Sequence, residues 1–135
     1  MTPPLSTPLL HNGAPWRTAW KGLWLMAVAA VHTVFAVVEF LPQWNEIARR
    51  GVFDSVGTDP MLGAVVWFGL FGIVLALLGW AIALLERSNA AALQALRTLG
   101  WGVLGLALAG IVLMPASGFW LALPPAMALC RGTHR

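Results

Sequence analysis

One uncharged run of 25 residues, MLGAVVWFGLFGIVLALLGWAIALL at positions 61–85, limits what this chain can fold into. A helix of about 20 apolar residues crosses a hydrocarbon core of about 30 Å, because each residue adds about 1.5 Å. The composition agrees, since 59% of the 135 residues are apolar and 10% are charged, against about 25% charged in an average soluble domain. The run therefore predicts a membrane-spanning helix and excludes an ordinary cytosolic fold.

Further apolar segments on both sides of this run predict an all-α polytopic membrane protein, a four-helix transmembrane bundle. The last segment reaches only about 22 Å, so a short or re-entrant segment is an alternative to a full fourth crossing. The first segment continues well past a motif that imitates a signal-peptide cleavage site, which favours a retained helix over a cleaved leader. The expected spans are about 19–41, 61–85, 98–114 and 116–130, with a proline-rich mobile tail over 1–18 and a short cytoplasmic tail over 131–135.

A short interfacial helix is expected between the first two spans. The stretch PQWNEIARRG at 42–51 has an early proline, two arginines where a last turn would be, and a glycine just after them. That order is typical of a capped helix. Further along, Asp59 is suited to cap the helix that Pro60 begins. The connection therefore predicts an amphipathic helix at the membrane surface, followed by a sharp start of the second span.

The basic residues predict the orientation of the chain. With four spans, one side of the membrane receives six of the eight lysines and arginines, and the other side receives only Arg49 and Arg50. Cytoplasmic loops carry the excess of basic residues. We therefore expect a multi-pass protein of the cell inner membrane with both termini in the cytoplasm.

Two ionisable residues interrupt the first span, and they are the main candidates for function. His32 is near the middle of the span, and Glu39 follows seven residues later on the same face of the helix. Ionisable residues inside a membrane are costly, which favours a functional role by default. One hypothesis is that His32, Glu39 and Trp44 line a pocket that binds a small ligand or handles protons. One histidine and one carboxylate fall short of a usual metal or haem ligand set, so we expect no metal and no cofactor.

A structural hypothesis for His32 competes with the functional one. Pro124 and Pro125 have no backbone N–H, so the carbonyls of Trp120 and Leu121 lose their usual helical partners. The first and fourth helices are neighbours in an up-and-down bundle. His32 would then donate a hydrogen bond to one of those carbonyls and lock the first helix against the fourth, and this structural latch is the favoured hypothesis.

The order of several motifs resembles a family of small bacterial integral-membrane proteins catalogued as a domain of unknown function. The resemblance covers most of the chain from Trp20 to Leu129, and the proline-rich tail before Trp16 departs from it. It implies a four-helix inner-membrane protein and assigns no catalytic residue. The motifs are WKGLWLMAVAAVHTVFA, QWNEIARRGVFDS, VVWFGLFGIVLALLGW and PASGFWLALPPAMAL, with His32, Trp44, Gly51, Trp67, Phe68 and Gly79 in that order.

These observations favour a ligand-binding or accessory membrane subunit over an enzyme. The chain has no glycine-rich phosphate loop, nucleophile elbow, HExxH or CxxC motif, which such chemistry would use. The alternative is a small membrane enzyme or carrier in which His32 and Glu39 transfer protons to a lipophilic substrate. The expected partners are the lipid bilayer and a small lipophilic ligand or a membrane protein. Nucleic acid is not expected, because the basic residues are scattered.

Overall fold

A computed structural model describes residues 19–51, 53–88 and 91–131 of the chain. The predicted N-terminal tail over 1–18 lies outside these residues. Of the predicted C-terminal tail, only Arg131 is described.

The described residues form helices joined by short turns and contain no strand, as expected for an all-α protein. Among the described residues, three of the helices, α1, α3 and α4, are long and apolar enough to cross a membrane. The all-α class and the three long apolar helices agree with the sequence, whereas the expected fourth crossing is not confirmed. The elements are α1 (Trp20–Glu39), α2 (Leu41–Arg50), α3 (Pro60–Glu86), α4 (Ala91–Leu113), a 3₁₀ helix (Gly118–Ala122) and α5 (Leu123–Arg131).

The expected fourth span is two short helices in succession, a 3₁₀ helix of 5 residues and an α-helix of 9 residues. Together they reach about 24 Å, less than the hydrocarbon core of about 30 Å. The prolines explain the break, because neither Pro124 nor Pro125 can donate to an uninterrupted helical ladder. Both lie in the first turn of α5, where a missing N–H costs nothing. The prolines therefore start a helix here and do not kink a longer one.

The predicted helix between the first two spans is α2. Only Phe40 separates it from α1, Pro42 is its second residue, and Arg49 and Arg50 are in its last turn. Gly51 follows with φ 82°, a left-handed conformation that glycine adopts without a Cβ clash. The next helix also begins as expected, because Asp59 accepts hydrogen bonds from the N–H groups of Met61 and Leu62 at 3.0 and 3.2 Å.

The helices pack as two pairs, α1 with α3 and α4 with the 3₁₀ helix and α5. The first pair is antiparallel, since Gly22 near the start of α1 lies against Gly79 and Ala83 near the end of α3. A glycine here lets the two backbones touch, which is how helices associate closely where lipid removes the hydrophobic drive. The two pairs join around one buried cluster, made by Leu25, Ile82, Leu96, Val103, Ala126 and Leu129.

A buried ion pair closes one end of the α1–α3 pair. Lys21 Nζ donates to Glu86 Oε1 at 3.0 Å, and the backbone N–H of Gly22 donates to Glu86 Oε2 at 2.9 Å. Side-chain exposure is only 10% for Lys21 and 2% for Glu86. The carboxylate thus satisfies an N–H in the first turn of α1 that has no partner within its own helix. Glu86 therefore ties the last residue of α3 to the start of α1.

Candidate functional site

His32 faces α3 in the middle of the α1–α3 pair. Its Nε2 lies 3.0 Å from the carbonyl oxygen of Phe68. The next residue, Thr33, bonds within its own helix, because its hydroxyl donates to the carbonyl of Ala29 at 2.9 Å. Gly72 makes the approach possible, since a Cβ at that position would collide with Thr33 and lie 3.2 Å from Cδ2 of His32. The histidine therefore joins the first helix to the second long helix.

Aromatic rings surround this imidazole. The centroid of the Phe68 ring is 4.3 Å from that of His32, with an interplanar angle of 40°, and Phe71 meets the imidazole edge-on at 5.7 Å. Phe35 and Phe40 pack against the other sides of Phe68, at 6.3 and 5.5 Å. The group of His32, Phe35, Phe40, Phe68 and Phe71 is called the aromatic cluster below. Such edge-to-face and tilted contacts stabilise ring pairs beyond the area they bury.

Trp44 of α2 folds back over the same groove. Its indole N–H donates to the carbonyl of Ala36 at 3.1 Å, and its ring lies against Gly69, where a Cβ would come within 2.9 Å of Cζ2. Ala36 is one turn beyond His32, and Gly69 adjoins Phe68. Trp44 thus covers the groove between α1 and α3 next to the aromatic cluster, and fixes α2 on that pair.

Glu39 does not join His32 in this arrangement. It is the last residue of α1 and is exposed, whereas His32 is directed into the contact with α3. The two arginines of α2 pair with Glu46 instead, at 2.9 Å from Arg50 and 3.6 Å from Arg49. Of the three predicted pocket residues, the structure brings His32 and Trp44 to one groove and leaves Glu39 exposed at the end of α1.

The carbonyls exposed by the two prolines do find other partners, but His32 is not one of them. The indole N–H of Trp24 donates to the carbonyl of Leu121 at 2.8 Å. The carbonyl of Trp120 accepts from the backbone N–H of Leu123, within the junction of the 3₁₀ helix and α5. Trp24 therefore joins the first helix to the fourth segment at Leu121, whereas the Nε2 of His32 contacts Phe68 on α3.

Replacing Trp24 with phenylalanine should lower the free energy of unfolding by about 0.5–1.5 kcal/mol. Phenylalanine keeps an aromatic ring at this position but cannot donate the hydrogen bond to Leu121. The matched control is Trp101→Phe, at a tryptophan that is 61% exposed and makes no hydrogen bond within the described ranges. Denaturant titration in detergent micelles measures the free energy of unfolding of both variants. Equal losses in the two variants would show that the Trp24 bond does not stabilise the fold.

A shallow cleft lies apart from the aromatic cluster, between α2 and the start of α3. It has a volume of about 290 Å³ and is lined by Pro42, Gln43, Glu46, Asp59, Met61 and Leu62. Gln43 Oε1 is buried there without a hydrogen-bond partner. The carboxylates are already engaged, Glu46 by two arginines and Asp59 by the start of α3. In the part of the chain that the structure describes, no three His, Cys, Asp or Glu side chains come together around one metal position.

Sequence reasoning did not identify the aromatic cluster or the pairing of Glu86. Phe68 and Phe71 are three residues apart and so share one face of a helix, a signal that indicates a patch but not its neighbour. Glu86 ends the longest apolar run, and Lys21 begins the first one. The ion pair could have been predicted from these two opposite charges, because antiparallel packing brings the end of one span next to the start of the other.

Comparison with known families identifies the chain without assigning it an activity. The model of a family of unknown function (DUF6463) matches residues 16–135, so the chain belongs to that family. This confirms the part of the resemblance that predicted a family of unknown function. No curated protein and no solved structure matches the chain.

Proposed function

We propose that this member of the family is an integral membrane protein that acts as an accessory or ligand-binding subunit inside the bilayer. The observation that carries the proposal is the surface of the second half of α1, residues 30–39. Its large apolar side chains are exposed, whereas Leu25 in the first half belongs to the buried cluster. The exposed ones are Val31 at 59%, Val34 at 63%, Phe35 at 53%, Val37 at 47% and Val38 at 69%.

The polar groups of this region favour binding over catalysis. The Nε2 of His32, the hydroxyl of Thr33 and the indole N–H of Trp44 each have a partner within the protein. What the second half of α1 offers to a neighbour is therefore a rigid apolar face with an aromatic cluster at its edge.

We further propose that the protein lies in the inner membrane of a bacterium, with both termini in the cytoplasm and α2 at the opposite surface. The support is the distribution of basic residues, six against two, together with the amphipathic character of α2. This orientation requires the 3₁₀ helix and α5 to act as a short fourth crossing, which returns Arg131 to the side of the membrane where α4 begins.

The alternative, a carrier or enzyme that moves protons through His32 and Glu39, has less support. It needs both groups to reach one substrate, but Nε2 of His32 is engaged by Phe68 and Glu39 is at the exposed end of α1. A separation of seven residues is about 10 Å along a helix. Without a bridging group, that distance is too long for direct proton transfer.

Native mass spectrometry of protein extracted in mild detergent tests the binding proposal. The wild type should retain a molecule or subunit of defined mass, and the double variant Val34→Ala, Val38→Ala should lose most of it. Leu108→Ala is the control, because this leucine of α4 is comparably exposed at 50% but lies on another helix. Retention that is the same in all three proteins would contradict the proposal.

A further inference from the structure

The hydrogen bond of His32 determines which of its ring nitrogens carries the proton. The carbonyl oxygen of Phe68 is an acceptor only, so Nε2 must donate across the 3.0 Å between them. In a neutral imidazole, one nitrogen then carries the hydrogen and the other keeps a lone pair. The bond to α3 therefore leaves Nδ1 as a hydrogen-bond acceptor.

This acceptor nitrogen is without a partner and can be reached from outside the protein. Within residues 19–51, 53–88 and 91–131, His32 makes its hydrogen bond through Nε2. Among the described residues, Gln43 Oε1 is the side-chain polar atom that is both buried and without a hydrogen-bond partner. Nδ1 of His32 also has no partner but is not buried in this way. His32 itself is partly exposed. An unpaired acceptor in an apolar surface is unfavourable unless a donor approaches it.

The residues near His32 favour a small molecule over another helix. The neighbouring side chains that reach the surface are bulky, with Phe35 53% exposed and Phe71 37% exposed, and Val31 beside the histidine at 59%. Close helix association in a membrane uses small residues that let backbones approach. Aromatic rings against an imidazole that has one free acceptor instead suit a flat apolar molecule that carries one donor.

We propose that Nδ1 of His32 and the aromatic cluster form a binding site for a lipophilic molecule with a ring-borne hydroxyl group, such as a phenol. The hydroxyl donates to Nδ1, and the ring packs against Phe35 and Phe71. The hydrogen on Nε2 stays on the carbonyl of Phe68, so binding leaves the contact between α1 and α3 intact. This inference rests on the proposed binding function and names the chemical class that the site takes.

The test compares two probes that differ only in the donor, 4-hexylphenol and its methyl ether 4-hexylanisole. The full chain, labelled with ¹⁵N at histidine, is reconstituted in nanodiscs and titrated with each probe. The phenol should bind about three- to tenfold more tightly than the ether, the factor expected for one net hydrogen bond. It should also shift the Nδ1 signal of His32, while His11 and His134 supply the reference signals.

Two variants separate the hydrogen bond from the ring contacts. His32→Phe keeps a ring of similar size and should abolish the preference for the phenol. Phe71→Leu should lower the affinity for both probes and keep the preference for the phenol over the ether. Equal affinities of the wild type for phenol and ether, with an unmoved Nδ1 signal, would overturn the site whether or not His32→Phe folds. That result would leave the mass-spectrometry test of the binding function unaffected, so the two failures are distinguishable.

Discussion

Replacing Glu86 with alanine is expected to destabilise the folded protein by about 3–5 kcal/mol, the cost of leaving a buried charge without its partner. The carboxylate accepts from Lys21 Nζ at 3.0 Å and from the N–H of Gly22 at 2.9 Å. Water does not replace it easily, because only 10% of the Lys21 side chain is exposed. The free energy of unfolding, measured by denaturant titration in detergent micelles, checks the value.

The matched control for the buried pair is an exposed one. Glu46→Ala removes the ion pairs with Arg49 and Arg50, and surface pairs of this kind contribute less than about 1 kcal/mol. The double variant Lys21→Met, Glu86→Leu removes both buried charges and should recover most of the stability lost in Glu86→Ala. A loss in Glu86→Ala no larger than that in Glu46→Ala would mean that the pair does not hold α1 to α3.

Gly22→Ala is expected to cost about 1–3 kcal/mol through overpacking, although alanine is the better helix former. A Cβ at this position would collide with the backbone of Gly79 and Ala83. Helical backbone atoms have no alternative rotamer, so the two helices must move apart. The same shift would strain the contact of Lys21 with Glu86, and the loss is measured by the same titration.

Gly102→Ala is the control for this substitution. A Cβ at Gly102 meets no atom within 4 Å, and the change from glycine to alanine in a helix is favourable by about 1 kcal/mol. The variant should therefore be as stable as the wild type or more stable. Equal effects at positions 22 and 102 would contradict close backbone packing between α1 and α3.

Local signals in the sequence predicted the elements well. The run at 61–85 and the pair Asp59-Pro60 predicted α3, which the structure begins at Pro60 and ends at Glu86. The stretch PQWNEIARRG predicted α2 and the glycine after it. These features depend on residues that are close in the chain, so composition and capping chemistry are sufficient to predict them.

The partner of His32 could not be predicted in the same way. Trp24 and His32 are eight residues apart, which separates them by about 80° around a helix. One therefore meets the 3₁₀ helix at Leu121, and the other meets α3 at Phe68. Which side of α1 faces which neighbour depends on the packing of the whole bundle, above all on the close contact at Gly22. Spacing along one helix does not contain that information.

Photo-crosslinking in the membranes of expressing cells tests the central claim, that the second half of α1 is a binding face inside the bilayer. A photoreactive phenylalanine derivative replaces Val34 in one variant and Leu108 in another, two exposed positions on different helices. We expect one adduct of defined mass from position 34 and only scattered lipid adducts from position 108. Lipid adducts alone from both positions would contradict it.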